Sequence, residues 1–195
     1  MYTIFGGVRS RAFRVLWMLE ELGLDYKHEA AAPRSEGVTA LYPAGKVPVL
    51  LDGDAVLTDS TAILTYLADK HGALTFPAGT IERAKQDGHT HFILDEMDAL
   101  LWTAARHTFI LPEDKRVEAV KDSLKWEYER SLERLDSRLG NGPFLMGETV
   151  TVPDLIAAHC LGWATSAKFP EPSANLQAYV NDMRARPAFR KASSL

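Results

Sequence analysis

Two neighbouring segments of the sequence carry residues that could together bind a peptide-like ligand. Val47-Pro48 stands at the start of a β-rich run, and Asp59 and Ser60 stand at the head of an amphipathic helical pattern. A proline at the start of a strand leaves the backbone of Val47 free to bond something other than a neighbouring strand, so an extended ligand could dock there as an additional strand. The free N–H groups of the helix N-terminus beside Asp59 and Ser60 favour a carboxylate. These segments therefore predict a site for a small peptide with a free carboxylate.

The composition excludes several other classes of function. The chain has 195 residues, of which 46% are hydrophobic and 25% charged, and a net charge of −4 with scattered basic residues, so we expect neither nucleic-acid nor membrane binding. No apolar run approaches the roughly 20 residues of a membrane span, and we expect no signal peptide. Cys160 is the only cysteine, which excludes an intrachain disulfide and indicates a reducing cytoplasm. His89 and His91 point to different faces of a helix, so no metal site is predicted.

The candidate residues lie in a part of the chain where strand and helix patterns alternate. In order, the predicted elements are strand 2–5, helix 12–22, strand 26–31, hairpin strands 47–51 and 55–57, and helix 59–70. One parallel crossover followed by an antiparallel hairpin is the topology of a small thioredoxin-like domain. We therefore predict an α/β thioredoxin-like domain over residues 1–72.

Strand signals vanish after a linker at residues 71–79 that contains two glycines and a proline. Helical periodicity predicts one long helix over residues 80–106 and a second that Pro112 opens and that ends at Leu139. Thr151 and Asp154 match a capping box in front of another apolar helix, and two short helices end the chain. The sequence therefore predicts an all-α domain over residues 80–195.

Along essentially its whole length the sequence resembles the cytosolic glutathione transferase superfamily, in particular its serine-type, bacterial-like members. The order and spacing of four stretches carry the resemblance: SRAFRVLWMLEELG at 10–23, PAGKVPVL at 43–50, LTDSTAILTYL at 57–67, and FLMG at 144–147 with TVPD at 151–154. The resemblance implies glutathione as the co-substrate, a cis bond between Val47 and Pro48, and a homodimer.

Ser10 is the catalytic residue that the resemblance implies. It stands just before the first predicted helix, four residues ahead of Arg14, where serine-type members keep the hydroxyl that activates glutathione. A free thiol has a pKa near about 8.5, and only the thiolate is a good nucleophile. A hydroxyl that donates to this thiolate would contribute roughly 1.5–3 kcal/mol toward lowering that pKa. The simpler interpretation, that Ser10 only caps the helix, stays open because serine is a favoured cap.

The resemblance also assigns the remaining site residues. Asp59 would accept the γ-glutamyl ammonium, and Ser60 with the helix N–H groups would bind the adjacent carboxylate, although both could simply be helix caps. Lys46 would pair with the glycyl carboxylate, or would be a surface lysine without a partner. Trp102 and Arg106 share a helix face. The resemblance places them over the sulfur, where a hydrophobic electrophile would bind; the alternative is a core tryptophan and a solvated arginine.

The predicted function is conjugation of the glutathione thiolate to an electrophilic small molecule by a cytoplasmic, homodimeric transferase. Two alternatives use the same fold. One is a glutathione-dependent isomerase, which only product analysis would separate from a transferase. The other is a non-catalytic interaction module, such as a translation or stress-response partner, and the presence of Ser10, Asp59 and Ser60 together argues against it.

Overall fold

The computed structural model describes all 195 residues, and they form two compact units. Unit 1 comprises residues 1–78 together with residues 184–195, and unit 2 comprises residues 79–183. Unit 1 contains a four-stranded sheet, whereas the main elements of unit 2 are helices. None of the helices is long and apolar enough to cross a membrane.

The sheet of unit 1 has the strand order β2-β1-β3-β4. Its strands are β1 (Tyr2–Phe5), β2 (Tyr26–Glu29), β3 (Val49–Asp52) and β4 (Ala55–Thr58). Strands β1 and β2 are parallel, while β1 and β3, and β3 and β4, are antiparallel. Ile4 of β1 pairs directly with Leu50 of β3, and both side chains are fully buried. This topology confirms the predicted combination of a thioredoxin-like domain with a helical one.

Three helices of unit 1 precede the linker. They are α1 (Ala12–Glu21), α2 (Glu36–Leu41) and α3 (Ser60–His71). The first eight residues of α1 are all buried, because α1 packs against β1, α3 and the C-terminal segment of the chain. Helix α2 lies in the connection between β2 and β3. Gly72 ends α3 with a φ of 62°, a left-handed conformation that favours glycine.

Five α-helices build unit 2. The last helix of the chain belongs to unit 1. The helices are α4 (Ile81–Ile93), α5 (Ala99–Ala105), α6 (Val120–Leu139), α7 (Val152–Ser166), α8 (Ala174–Ala185) and α9 (Pro187–Ser193). A π-helical segment, Leu94–Asp98, interrupts the predicted long helix, and a second one, Arg106–Ile110, extends beyond its predicted end. The prediction that Pro112 opens the next helix is wrong, since a short 3₁₀ turn follows it and Arg116 has an extended backbone.

The buried carboxylate of Asp154 organises the start of α7. Its Oδ2 accepts hydrogen bonds from the backbone N–H and the hydroxyl of Thr151, at 2.8 and 3.0 Å. Its Oδ1 accepts from the backbone N–H of Leu145 at 2.9 Å and from the hydroxyl of Tyr179 at 3.0 Å. The predicted capping box is therefore confirmed, and the same carboxylate also joins α7 to α8 and to the preceding turn.

The last helix packs on α1 within unit 1. The ring of Phe189 makes edge-to-face contacts with Phe13 and Trp17, at centroid distances of 5.2 and 4.9 Å. Arg186 forms a two-pronged ion pair with Glu21, at 2.6 and 2.7 Å. The sequence assigned residues 80–195 to one helical domain, whereas residues 184–195 pack compactly with unit 1. The sequence predicts a short helix at this end of the chain but does not reveal which element it packs against.

Candidate functional site

The loop between β1 and α1 contacts the segment that precedes β3. Gly6 lies at this contact with a φ of +133°, and its N–H donates to the carbonyl oxygen of Glu29 at 2.9 Å. A Cβ placed on Gly6 would lie 2.5 Å from the Cβ of Ala12 and 3.1 Å from the Cβ of Val47. Only glycine fits, because a side chain would collide with α1. The loop that carries Ser10 is thereby held against the segment that carries Val47.

Ser10 makes two hydrogen bonds through its hydroxyl. The O–H donates to the carbonyl oxygen of Gly7 at 2.8 Å, and the oxygen accepts from the N–H of Ala12, the first residue of α1, at 3.2 Å. The side chain is partly exposed. The second bond is the cap expected from the simpler interpretation. A thiolate would replace the Gly7 carbonyl as the acceptor of the O–H, while the cap at Ala12 stays in place, so the two roles are compatible.

The Val47–Pro48 peptide bond is cis, as the resemblance implied. Strand β3 begins at Val49, which pairs with Phe5 on one side and Thr58 on the other. Val47 therefore lies just before an inner strand and outside its hydrogen-bond ladder. Its backbone is left available to an extended ligand. Lys46 is exposed in the same segment and forms no ion pair within the chain.

Asp59 is the N-cap of α3 and has an unusual backbone conformation. Its φ is +69°, a region that non-glycine residues rarely adopt and that costs roughly 1–3 kcal/mol. The carboxylate Oδ1 accepts from the N–H groups of Thr61 and Ala62, at 2.9 and 3.0 Å. Its other oxygen, Oδ2, makes no hydrogen bond within the chain. Since the first N–H groups of a helix lack intrahelical partners, the N–H of Ser60 is also left open.

Ser60 is bonded to a residue that sequence reasoning did not assign to the site. The Ser60 side chain is buried, and its Oγ accepts from Nη1 of Arg14 at 3.4 Å. Arg14 is itself fully buried in α1. The only sequence signal is an arginine inside the apolar run from Ala12 to Leu19. The oxygen of the Ser60 hydroxyl is therefore held by the guanidinium of Arg14.

Trp102 and Arg106 lie in unit 2, at α5 and at the first residue of the second π-helical segment. Trp102 is partly exposed and Arg106 is exposed. Arg106 donates from Nη2 to the hydroxyl of Thr103 at 3.1 Å. π-Helical segments occur frequently at functional sites. Trp102 is therefore not a core residue, whereas the exposed Arg106 matches the solvated arginine of the alternative interpretation.

Comparison with known proteins adds independent information. Profiles described as "Glutathione S-transferase, N-terminal domain" and "Glutathione S-transferase, C-terminal domain" match residues 9–70 and 99–187. Glutathione S-transferase 3 of Zea mays is 30% identical over 196 residues, covering 91% of this chain and 86% of that protein. Probable elongation factor 1-gamma 2 of Arabidopsis thaliana is 32% identical over 180 residues, which cover 85% of this chain and 42% of that protein. The chain likewise spans 61% of putative glutathione S-transferase alpha-2 of Dictyostelium discoideum.

The fold of the chain is also similar to solved structures of glutathione S-transferases. The theta class glutathione S-transferase of Xanthomonas axonopodis pv. citri, crystallised with glutathione bound, is 27% identical, with a TM-score of 0.79. The alignment covers 98% of this chain and 96% of that one. The family profiles, the sequence relatives and the solved structure thus indicate the same family over both units. The chain belongs to the glutathione S-transferase family.

Proposed function

We propose that this protein is a cytoplasmic, homodimeric enzyme that binds glutathione in unit 1 and conjugates its thiolate to an electrophilic small molecule. The observation that carries the proposal is the conformation of Asp59. Its strained backbone leaves Oδ2 without a partner next to the open N–H of Ser60. Backbone strain of this kind is frequent at active sites and ligand-binding sites. An acceptor beside a donor suits the ammonium and carboxylate of a γ-glutamyl group.

Each part of the tripeptide has a matching group in the candidate site. The backbone of Val47, outside the ladder of β3, would pair with the cysteinyl residue as an added strand. Asp59 Oδ2 would accept from the γ-glutamyl ammonium, and the N–H of Ser60 would donate to the carboxylate at the positive end of α3. Lys46 would neutralise the glycyl carboxylate. Pro48 fixes the course of the segment between Val47 and β3.

Ser10 would supply the catalytic hydrogen bond. Its O–H would leave the Gly7 carbonyl and donate to the glutathione sulfur, favouring the thiolate. Serine acts here as a donor to an anion and not as a base, because its own proton is never released. Trp102 and Arg106 are the candidates for contact with a hydrophobic electrophile, through an aromatic face and a cation that stay accessible within unit 2.

A second candidate function is a non-catalytic interaction module. It is favoured by the similarity to a probable elongation factor 1-gamma, in which the aligned region is 42% of the protein. Such a module would keep the fold and need no thiolate. The two functions differ in turnover: a transferase consumes glutathione with a generic aryl halide, whereas a module does not.

Thermal unfolding with glutathione tests the binding step. Glutathione at about 100 times its Kd adds about 2.7 kcal/mol of stability, and cysteinylglycine, which lacks the γ-glutamyl unit, should add much less. Asp59→Asn is the diagnostic variant, because asparagine caps helices and tolerates positive φ. It should keep the melting temperature of the free protein but weaken glutathione binding about tenfold to a hundredfold, through loss of a charge-assisted bond worth roughly 1.5–3 kcal/mol.

Asp54→Asn is the matched control, since Asp54 is exposed in the turn between β3 and β4. It should bind glutathione like the wild type. A wild-type protein whose melting temperature is unmoved by about 10 mM glutathione, roughly 100 times an assumed Kd of about 0.1 mM, would refute the binding proposal. Binding without consumption of glutathione would instead favour the interaction module.

A further inference from the structure

The side chain of His28 on β2 bonds to the loop that carries Ser10. Its Nε2 lies 2.9 Å from the carbonyl oxygen of Gly6. A carbonyl can only accept, so Nε2 carries the hydrogen and donates. His28 is partly buried and stands opposite Ile4 in the parallel pairing of β1 and β2. Nothing in the sequence pattern of β2 marks this histidine as different from an ordinary strand residue.

Gly6 is the point at which three elements meet. Its N–H is bonded to β2 through Glu29, and its Cα faces both Ala12 at the start of α1 and Val47 before β3. With the bond from His28, both polar backbone groups of Gly6 are therefore fixed by β2. A rotation of this residue would move the loop relative to α1 and to Val47 together.

The bond from His28 also bears on the hydroxyl of Ser10. The Gly6 carbonyl belongs to the peptide plane that joins Gly6 to Gly7, so the hydrogen bond from His28 fixes the orientation of that plane. The next carbonyl, that of Gly7, accepts from both the N–H and the hydroxyl of Ser10, at 3.1 and 2.8 Å. His28 thus acts on Ser10 through two consecutive peptide groups.

We infer that His28 is a positioning residue of the glutathione site, which orients the Gly6–Gly7 peptide so that Ser10 and Val47 are held in place for the same ligand. The inference rests on the proposed function. His28 itself would touch neither the sulfur nor the tripeptide. Its contribution is one neutral hydrogen bond, which corresponds to about a twofold to tenfold effect on the thiolate fraction of bound glutathione.

Two substitutions and one control test the inference. His28→Ala removes the donor, whereas His28→Gln restores it, because the glutamine amide nitrogen reaches about as far as Nε2 of histidine. Lys27→Ala is the control, since Lys27 is exposed on the same strand. Three quantities are measured for each protein: the ultraviolet titration of bound glutathione thiolate, the Kd for glutathione, and amide hydrogen exchange of residues 6–12 without ligand.

We expect His28→Ala to lower the thiolate fraction at neutral pH about twofold to tenfold and to speed exchange in the loop, and His28→Gln and Lys27→Ala to resemble the wild type. An unchanged thiolate titration in His28→Ala, with faster exchange, would reduce His28 to a structural role. If His28→Ala does not fold, His28→Gln still tests the inference. A folded His28→Gln whose thiolate titration differs from that of the wild type would overturn it. A wild type that shows no bound thiolate would refute the proposed function itself, which separates the two failures.

Discussion

Replacement of Ser10 isolates the catalytic hydrogen bond from the helix cap. In the free protein its O–H already donates to the Gly7 carbonyl, so binding of a thiolate exchanges one hydrogen bond for another. A bond to a charged acceptor is worth roughly 1.5–3 kcal/mol and a neutral one about 0.5–1.5 kcal/mol. The net preference for the anion is therefore about 1–2 kcal/mol, which corresponds to about a fivefold to thirtyfold change in thiolate fraction.

Ser10→Ala should raise the pKa of bound glutathione and lower kcat with a generic electrophile by this factor. It should also remove the acceptor for the Ala12 N–H, at a cost of about 0.5–2 kcal/mol in folding stability. Ser10→Gly separates the two effects, because glycine at a cap costs only a few tenths of a kcal/mol. We therefore expect the glycine variant to be nearly as stable as the wild type but as impaired in thiolate formation as the alanine variant.

The assay is ultraviolet titration of the bound thiolate beside steady-state kinetics and urea unfolding. The Kd for glutathione should change little, since the tripeptide is held elsewhere. A glycine variant with the thiolate pKa and kcat of the wild type would contradict this prediction. It would show that Ser10 is only a cap and that backbone N–H groups or another side chain stabilise the sulfur.

Three further predictions concern stability. Asp154→Asn should destabilise unit 2 by roughly 2–4 kcal/mol in urea unfolding, because the amide NH₂ would face N–H groups whose hydrogen bonds the carboxylate now accepts. The control variant Asp122→Asn, at an exposed position, should keep the stability of the wild type, and equal stabilities of the two variants would contradict this prediction. Phe189→Ala should cost roughly 2–3 kcal/mol by removing two edge-to-face contacts on α1, and a loss below about 0.5 kcal/mol would mean that α9 does not anchor there. Hydrogen bonds, first of all from Lys70, hold the pKa of Asp52 below its ordinary value. The Asp52 carboxylate therefore contributes its full stabilisation above about pH 4, and this stabilisation is lost as the pH falls through the lowered pKa. The acid unfolding of Asp52→Asn should lack this pH-dependent loss, and an acid transition identical to that of the wild type would disprove the prediction.

The sequence predicts the parts of the site that depend on local patterns. Val47-Pro48 before a strand and Asp59 before a helix are recognisable because proline and capping residues constrain the backbone near themselves. The parallel crossover and the antiparallel hairpin follow from the alternation of helix and strand patterns. The cap at Thr151 is readable for the same reason, since both of its partners lie within four residues.

The parts that the sequence does not predict depend on contacts between distant residues. The bond from Arg14 to Ser60 spans 46 positions, and the bond from His28 to Gly6 spans 22. Helical periodicity does not register the 3₁₀ turn that follows Pro112. The packing of α9 on α1 joins the two ends of the chain. The positive φ of Asp59 also escapes prediction, because aspartate usually caps helices from an extended backbone.

In the proposed function, one ligand, glutathione, spans the segment before β3, the N-terminus of α3 and the loop before α1. A crystal structure of the protein soaked with glutathione measures this directly. We expect the ammonium at Oδ2 of Asp59, backbone pairing at Val47, and the sulfur within hydrogen-bonding distance of the Ser10 hydroxyl, which has turned away from the Gly7 carbonyl. A tripeptide bound with its sulfur beside another group, and with Ser10 still bonded to Gly7, would contradict it.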